Sequence, residues 1–157
     1  DGTLWCCGQN FAGELGDNSR TNRSSPVQVP GTTWKQVICP DQQVTMATKT
    51  DGTLWSWGYN YFGLLGLNDS HPGGMRSSPT QIPGTNWSTI SEGGGIILAK
   101  KSDSTLWTWG PNSHGSLGQN QSYPVLIGTS SPVQIPGIWG EVGLISKSYN
   151  NIGWKYG

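Results

Sequence analysis

Residues 51–66 read DGTLWSWGYNYFGLLG, and the fold turns on how this stretch is read. Asp51-Gly52 is a dipeptide that takes φ > 0 at both central positions of a tight type I′ turn. Behind it Val44-Thr45-Met46-Ala47-Thr48-Lys49 alternates with period two, and ahead of it Thr53-Leu54-Trp55-Ser56-Trp57 does the same. Counting outward from a two-residue turn pairs Thr50 with Thr53, Thr48 with Trp55 and Met46 with Trp57. That register predicts a bulky face of Met46, Thr48, Trp55 and Trp57 and a flat face of Ala47 and Ser56. A sheet with one large and one small face suits close stacking against further sheets. Gly63-Leu64-Leu65-Gly66 breaks the strand pattern and predicts a tight loop with a buried leucine.

The stretch occurs three times: DGTLWCCGQNFAGELG from Asp1, DGTLWSWGYNYFGLLG from Asp51 and DSTLWTWGPNSHGSLG from Asp103. A second block recurs between them, SSPVQVPGTTW from Ser24, SSPTQIPGTNW from Ser77 and SSPVQIPGIW from Ser130. A period of about 50 residues implies one supersecondary unit copied, with a core made by stacking neighbours. The chain divides into one repeat domain over 1–157, with repeats at 1–50, 51–102 and 103–157. Between the GxLG and SSP blocks the connections are 7, 10 and 11 residues long, so insertions fall in one loop per repeat and map to one face. In the third copy Ser104 replaces the turn glycine, which predicts a different or looser hairpin there. Each copy carries about four short strands separated by turn signals, without sustained helical periodicity. The expectation is an all-β protein of four-stranded blades, a β-propeller, as a partial ring or as part of a larger one.

Composition narrows the function classes. Nine tryptophans and 24 glycines in 157 residues suit an aromatic, turn-rich repeat core. Charged residues are only 11% and the net charge is zero, so attraction to nucleic acid or an anionic membrane has no support. No apolar run reaches the roughly 18 residues that span a bilayer. Cys6, Cys7 and Cys39 lack metal-ligand spacing. Cys7 stands where Trp57 and Trp109 stand in the other copies, which reads as a small core substitution. A bridge from Cys39 to Cys6 or to Cys7 is an open alternative that nothing in the sequence supports, and the redox state of the three stays open.

The order SP-x-Q-hydrophobic-P-G-x-x-W followed by D-G-T-L-W-x-W-G-x-N-x-x-G-x-L-G resembles the repeat of the regulator of chromosome condensation family. All three copies match, so the resemblance covers nearly the whole chain. It implies a propeller of four-stranded blades, commonly seven to a ring. The founding member of that family is a nuclear guanine-nucleotide exchange factor that also binds nucleosomes. Relatives serve as ubiquitin-ligase scaffolds, receptor modules and bacterial or viral surface proteins, so the resemblance leaves function open. The near-uniform copies and neutral charge resemble bacterial, secreted or phage-encoded versions, which suggests an extracellular or particle surface. Three blades do not close a ring. The expectation is either a segment of a longer array or two copies closing a six-bladed ring, with the strand at 152–156 pairing to Thr3–Cys7 of a second copy.

No residues assemble a reaction centre on paper. His71 and His114 occupy different loop types, the glutamates Glu14, Glu92 and Glu141 occupy non-equivalent places, and no nucleophile elbow or phosphate-cradling loop occurs. The reading is therefore a non-enzymatic protein-interaction or structural surface module without cofactor or metal. The alternatives are a carbohydrate- or receptor-binding propeller and, behind it, a nuclear-type exchange factor. Residues that vary between copies on a repeated framework are where specificity can change without cost to the fold. On that ground Arg20, Arg23, His71, Arg76 and Tyr123 in the variable connections are candidate partner contacts. Tyr59, Tyr61 and Phe62 form a second candidate patch, with packing between blades as the competing role. The partner is a protein or a glycan.

Overall fold

A computed structural model of the protein describes residues 1–40, 43–69, 74–112, 115–120, 128–144 and 151–155. The strands among them run β1 Leu4–Gly8, β2 Arg23–Val29, β3 Trp34–Ile38, β4 Val44–Lys49, β5 Leu54–Tyr59, β6 Met75–Ile82, β7 Trp87–Gly93, β8 Ile96–Lys101, β9 Leu106–Gly110, β10 Thr129–Ile135, β11 Trp139–Leu144 and β12 Asn151–Lys155. A 3-10 turn, Tyr61–Gly63, follows β5. The strands form two antiparallel four-stranded sheets, β3-β4-β5-β6 and β7-β8-β9-β10, and two two-stranded sheets, β1-β2 and β11-β12. The Asp51 turn thus lies at the middle of a sheet, with two strands contributed from each side of it.

The turn itself is one residue longer than a type I′ reading allows. Lys49 N donates to the Thr53 carbonyl and Gly52 N to the Lys49 carbonyl, so Thr50-Asp51-Gly52 is a three-residue loop. Gly52 takes φ +79 as its left-handed residue, whereas Asp51 keeps a negative φ. The extra residue moves the pairing by one: Met46 faces Ser56, Ala47 faces Trp55 and Thr45 faces Trp57. The expected faces are corrected accordingly. Trp55 and Trp57 share a side with Thr45 and Ala47, while Met46, Thr48, Leu54 and Ser56 share the other.

Aspartate selects this longer turn. Its Oδ1 accepts from Thr53 N at 3.0 Å and from Thr53 Oγ1 at 2.7 Å, and Thr53 Oγ1 in turn accepts from Trp55 Nε1 at 2.8 Å. The same relay runs Trp107–Thr105–Asp103 and Trp5–Thr3–Asp1. The Thr53 hydroxyl and backbone amide hold the Asp51 carboxyl below its ordinary range, and Thr105 does the same for Asp103. The third copy does not use a different turn. Ser104 occupies the glycine position at φ +66 with the same two backbone hydrogen bonds, so it carries the strain in place.

The core sits between sheets. One cluster joins Met46, Leu54, Leu64, Leu65 and Ile82 of the β3–β6 sheet and its loop to Trp87, Ile90, Ile97 and Trp109 of the next sheet. A smaller one joins Val29 of β2 to Ala47 and Trp57, with Leu4, Cys6, Trp34 and Trp55 packed on it. At the turn end of each full sheet a lysine lies between two indoles. Lys49 Nζ is 4.5 Å from the ring centres of both Trp34 and Trp55, and Lys101 Nζ is 4.6 Å from Trp87 and 4.5 Å from Trp107. No helix among the described residues is long and apolar enough to cross a membrane.

Candidate interaction surface

The loop after each Gly-x-Asn is built inward from a buried asparagine. Asn60 is fully buried, and its Oδ1 accepts from Leu65 N at 3.1 Å while its Nδ2 donates to the Asp69 carbonyl at 3.0 Å. Asn10 and Asn112 receive Leu15 N and Leu117 N in the same way. The amide thereby satisfies a loop that has no ladder of its own. Glycines then press the loop onto the neighbouring sheet. A Cβ on Gly13 would lie 2.5 Å from Ser77 Cα, and one on Gly63 would lie 2.5 Å from Ser130 Cα. The indoles of Trp57 and Trp109 donate to the carbonyls of Glu14 and Leu64 across these contacts.

With Asn60, the leucines and the glycines buried, the Phe62 ring is left exposed and Tyr59 and Tyr61 half-buried. Tyr59 and Tyr61 stack with ring centres 5.9 Å apart at 18°, and Phe62 lies 4.0 Å from Tyr61. Phe62 is 49% exposed and takes φ +49, ψ +31, a left-handed conformation costly for an aromatic residue. Across the β5–β6 ladder Tyr59 pairs with Met75, and Gly58 with Arg76. The Tyr61–Gly63 turn contacts β10 of the neighbouring sheet, with Gly63 closest to Ser130.

The basic candidates are placed differently. Arg23 Nη2 lies 2.8 Å from Asp17 Oδ2, and Arg76 Nη2 lies 2.8 Å from Asp69 Oδ2, so both guanidinium groups close the connection they belong to. Burial opposes the charge on Asp17, yet hydrogen bonds from Ser19, Arg23 and Asn10 outweigh it and hold the carboxyl below its ordinary range. Arg20 is exposed on the β1–β2 connection. His71 and Tyr123 lie outside the described residues. The structure therefore brings Tyr59, Tyr61 and Phe62 together with Arg76 at their edge, and places Arg20 and Arg23 on a different sheet. Sequence reasoning passed over Phe11, which occupies the Tyr61 position of the first copy and is 64% exposed. It also passed over the buried asparagines, whose signal was their identity in all three copies. Among the described residues no group of three His, Cys, Asp or Glu side chains could hold a metal ion.

Repeated four-stranded sheets stacked through tryptophan and glycine define a β-propeller repeat protein. A family model, the regulator of chromosome condensation (RCC1) repeat, matches residues 1–46 and 51–99, more than half of the chain, and the protein belongs to that family. The fold is similar to Prp20p from Saccharomyces cerevisiae, in a structure described with its binding properties to Gsp1p and histones, at TM-score 0.73 and 19% identity. It is similar also to yeast RCC1 (Prp20) bound by Kap60, at TM-score 0.71 and 20% identity. Both comparisons cover 90% of this chain and 36% of the other. Human WBSCR16 aligns at TM-score 0.67 and 24% identity, over 86% of this chain and 33% of its own. The protein thus spans about a third of the length of the structures it resembles. Comparison with curated proteins finds no match.

Proposed function

We propose that the protein is a non-enzymatic interaction module that binds another protein through the aromatic surface of Tyr59, Tyr61 and Phe62. The observation carrying this reading is Phe62, an exposed ring held in a strained conformation on a loop whose inner side is locked by Asn60. Strain of this kind persists where the surroundings over-determine it, and it concentrates at ligand-contacting loops. Aromatic side chains supply large contact area at low entropic cost, which suits a partner surface. Binding of Gsp1p, histones and Kap60 by similar propellers supports a protein partner in general terms and names none for this chain. Further repeats or a second copy complete the ring in this reading.

A photo-crosslinking residue placed at position 62 tests the proposal against one at Gln81, an exposed position on β6. A discrete crosslinked protein at 62 and not at 81, lost on Tyr61→Ala, is the expected outcome. Equal labelling at both positions sinks the assignment. The near-parallel Tyr59 and Tyr61 rings favour one alternative, stacking on a sugar face. Glycan-array binding that disappears in Tyr61→Ala would replace the protein partner with a glycan.

A further inference from the structure

All three cysteines of the chain line one cavity of about 290 Å³, between the loop after β1 and the turn joining β3 to β4. Glu14, Leu15 and Val44 complete its apolar and acidic walls. Cys6 packs against the cluster of Val29, Ala47 and Trp57, so its side chain is turned toward the β3–β6 sheet. Cys7, the next residue, lies where the β1–β2 pairing turns irregular between Cys6 and Gly8, and it is exposed. Cys39 directly follows β3, the first strand of the neighbouring sheet, and is exposed. All three thiols are free.

The framework does not ask for sulfur at either place. The position of Cys6 is held by Ser56 in the second copy, whose hydroxyl donates to the Leu65 carbonyl. The position of Cys39 is held by Glu92. A polar pair thus occupies the same seam in the next copy, and only here are both members thiols.

We propose that Cys6 and Cys39 are a redox pair, which closes to a disulfide joining β1 to the β3–β4 turn across the seam between two sheets. Burial raises the pKa of the Cys6 thiol, and Cys39 raises it further, by more than the chain neighbour Cys7 does. Cys6 and Cys39 line the same cavity, and the exposure of Cys39 sets the sequence of events. The exposed Cys39, as thiolate, attacks a low-molecular-weight disulfide such as oxidised glutathione and expels one glutathione thiolate. Cys6 then loses its proton, attacks the Cys39 sulfur of the mixed disulfide and expels the second glutathione. Two protein thiols are oxidised to one disulfide, and one glutathione disulfide is reduced to two thiols. The bond encloses residues 7–38 and ties the β1–β2 sheet to its neighbour.

The test exposes the full chain to oxidised or reduced glutathione and then measures intact mass, free thiols, tryptic peptides and thermal midpoint. The expected oxidised product is a monomer lighter by two hydrogens, with one titratable thiol in place of three. Its peptide map links 1–20 to 36–49, and its midpoint is raised by roughly 5 °C or more. Because Cys6 and Cys7 share a tryptic peptide, variants assign the bond: Cys7→Ser keeps the link, while Cys6→Ser and Cys39→Ser lose it. Three free thiols after oxidation, dimers joined by disulfide, or a link that survives Cys6→Ser would each overturn the proposal. Melting of the variants under reduction checks that each is folded. If Cys6→Ser is not, Cys6→Ala replaces it and the Cys7→Ser map carries the assignment.

Discussion

Two of the seams between the sheets of this protein follow the same plan and fill it differently. In both, an indole from the downstream sheet donates to a loop carbonyl of the upstream one, Trp57 to Glu14 at 3.0 Å and Trp109 to Leu64 at 2.9 Å. In both, a glycine of the loop meets the α-carbon of a serine in the SSP strand. The seam between β3–β6 and β7–β10 closes over a continuous apolar cluster. It also carries a two-way clasp in which the Gln36 amide donates to the Ile90 carbonyl and accepts from Ile90 N. The seam between β1–β2 and β3–β6 has a smaller cluster and an open cavity lined by cysteine. Backbone contacts define the seam, and side chains then decide how dry and how strong it is.

The largest break should come from Trp109→Ala. Removing a fully buried indole from the larger cluster should cost about 3–5 kcal/mol in urea denaturation. Trp57→Ala should cost less, since it opens into a seam that already holds a cavity; equal losses would mean the two seams do not differ in energy. Next in size are Gly63→Ala and Gly13→Ala, each roughly 2 kcal/mol or more, because the new methyl meets backbone and the residue keeps a positive φ. Gly8→Ala is the control. It has the same sign of φ but open space around the new atom, so it should lose only about 1 kcal/mol. Ser104→Gly should go the other way and add about 1 kcal/mol, by relieving a left-handed serine in an otherwise unchanged turn. A serine variant at Gly52 should lose a similar amount.

The smallest effect is on acid stability. Asp51 and Asp103 have folded-state values depressed by their threonine hydrogen bonds. Their contribution is complete above the unfolded value near 3.9, and it disappears as pH falls through the lower folded value. Thr53→Val and Thr105→Val together should reduce the difference in melting midpoint between pH 6 and pH 3. An unchanged difference would remove these turns from the acid response.

Much of this architecture was legible because it is written three times. Spacing of Trp, Gly and Pro announced strands and loops, and Leu15, Leu65 and Leu117 are buried where the loop reading placed a leucine. Register was misread at Asp51 because Asp-Gly serves both two- and three-residue turns. What separates them is the threonine two positions on, whose hydroxyl makes the aspartate an acceptor rather than a left-handed residue. Arg23 and Arg76 looked like free surface cations, whereas each bonds an aspartate several residues back, a closure that depends on loop shape. Tyr59, Tyr61 and Phe62 could be nominated from their differences between copies. Their stacking and the strain at Phe62 follow from three-dimensional placement that no spacing encodes.

The Asp turn lies at the centre of each four-stranded sheet, so a repeat counted from DGTLW is half a sheet out of step with the unit of folding. An unequal crossover at DGTLW would therefore cut a sheet between its second and third strands and rejoin it to equivalent strands, β4 meeting β9 in place of β5. The new neighbours present the same Thr-Leu-Trp pattern, and the Lys49 ammonium would still find an indole on either side. Copy number can change by recombination without leaving an orphan edge at the junction, and an array built this way can lengthen or shorten while every internal sheet stays whole.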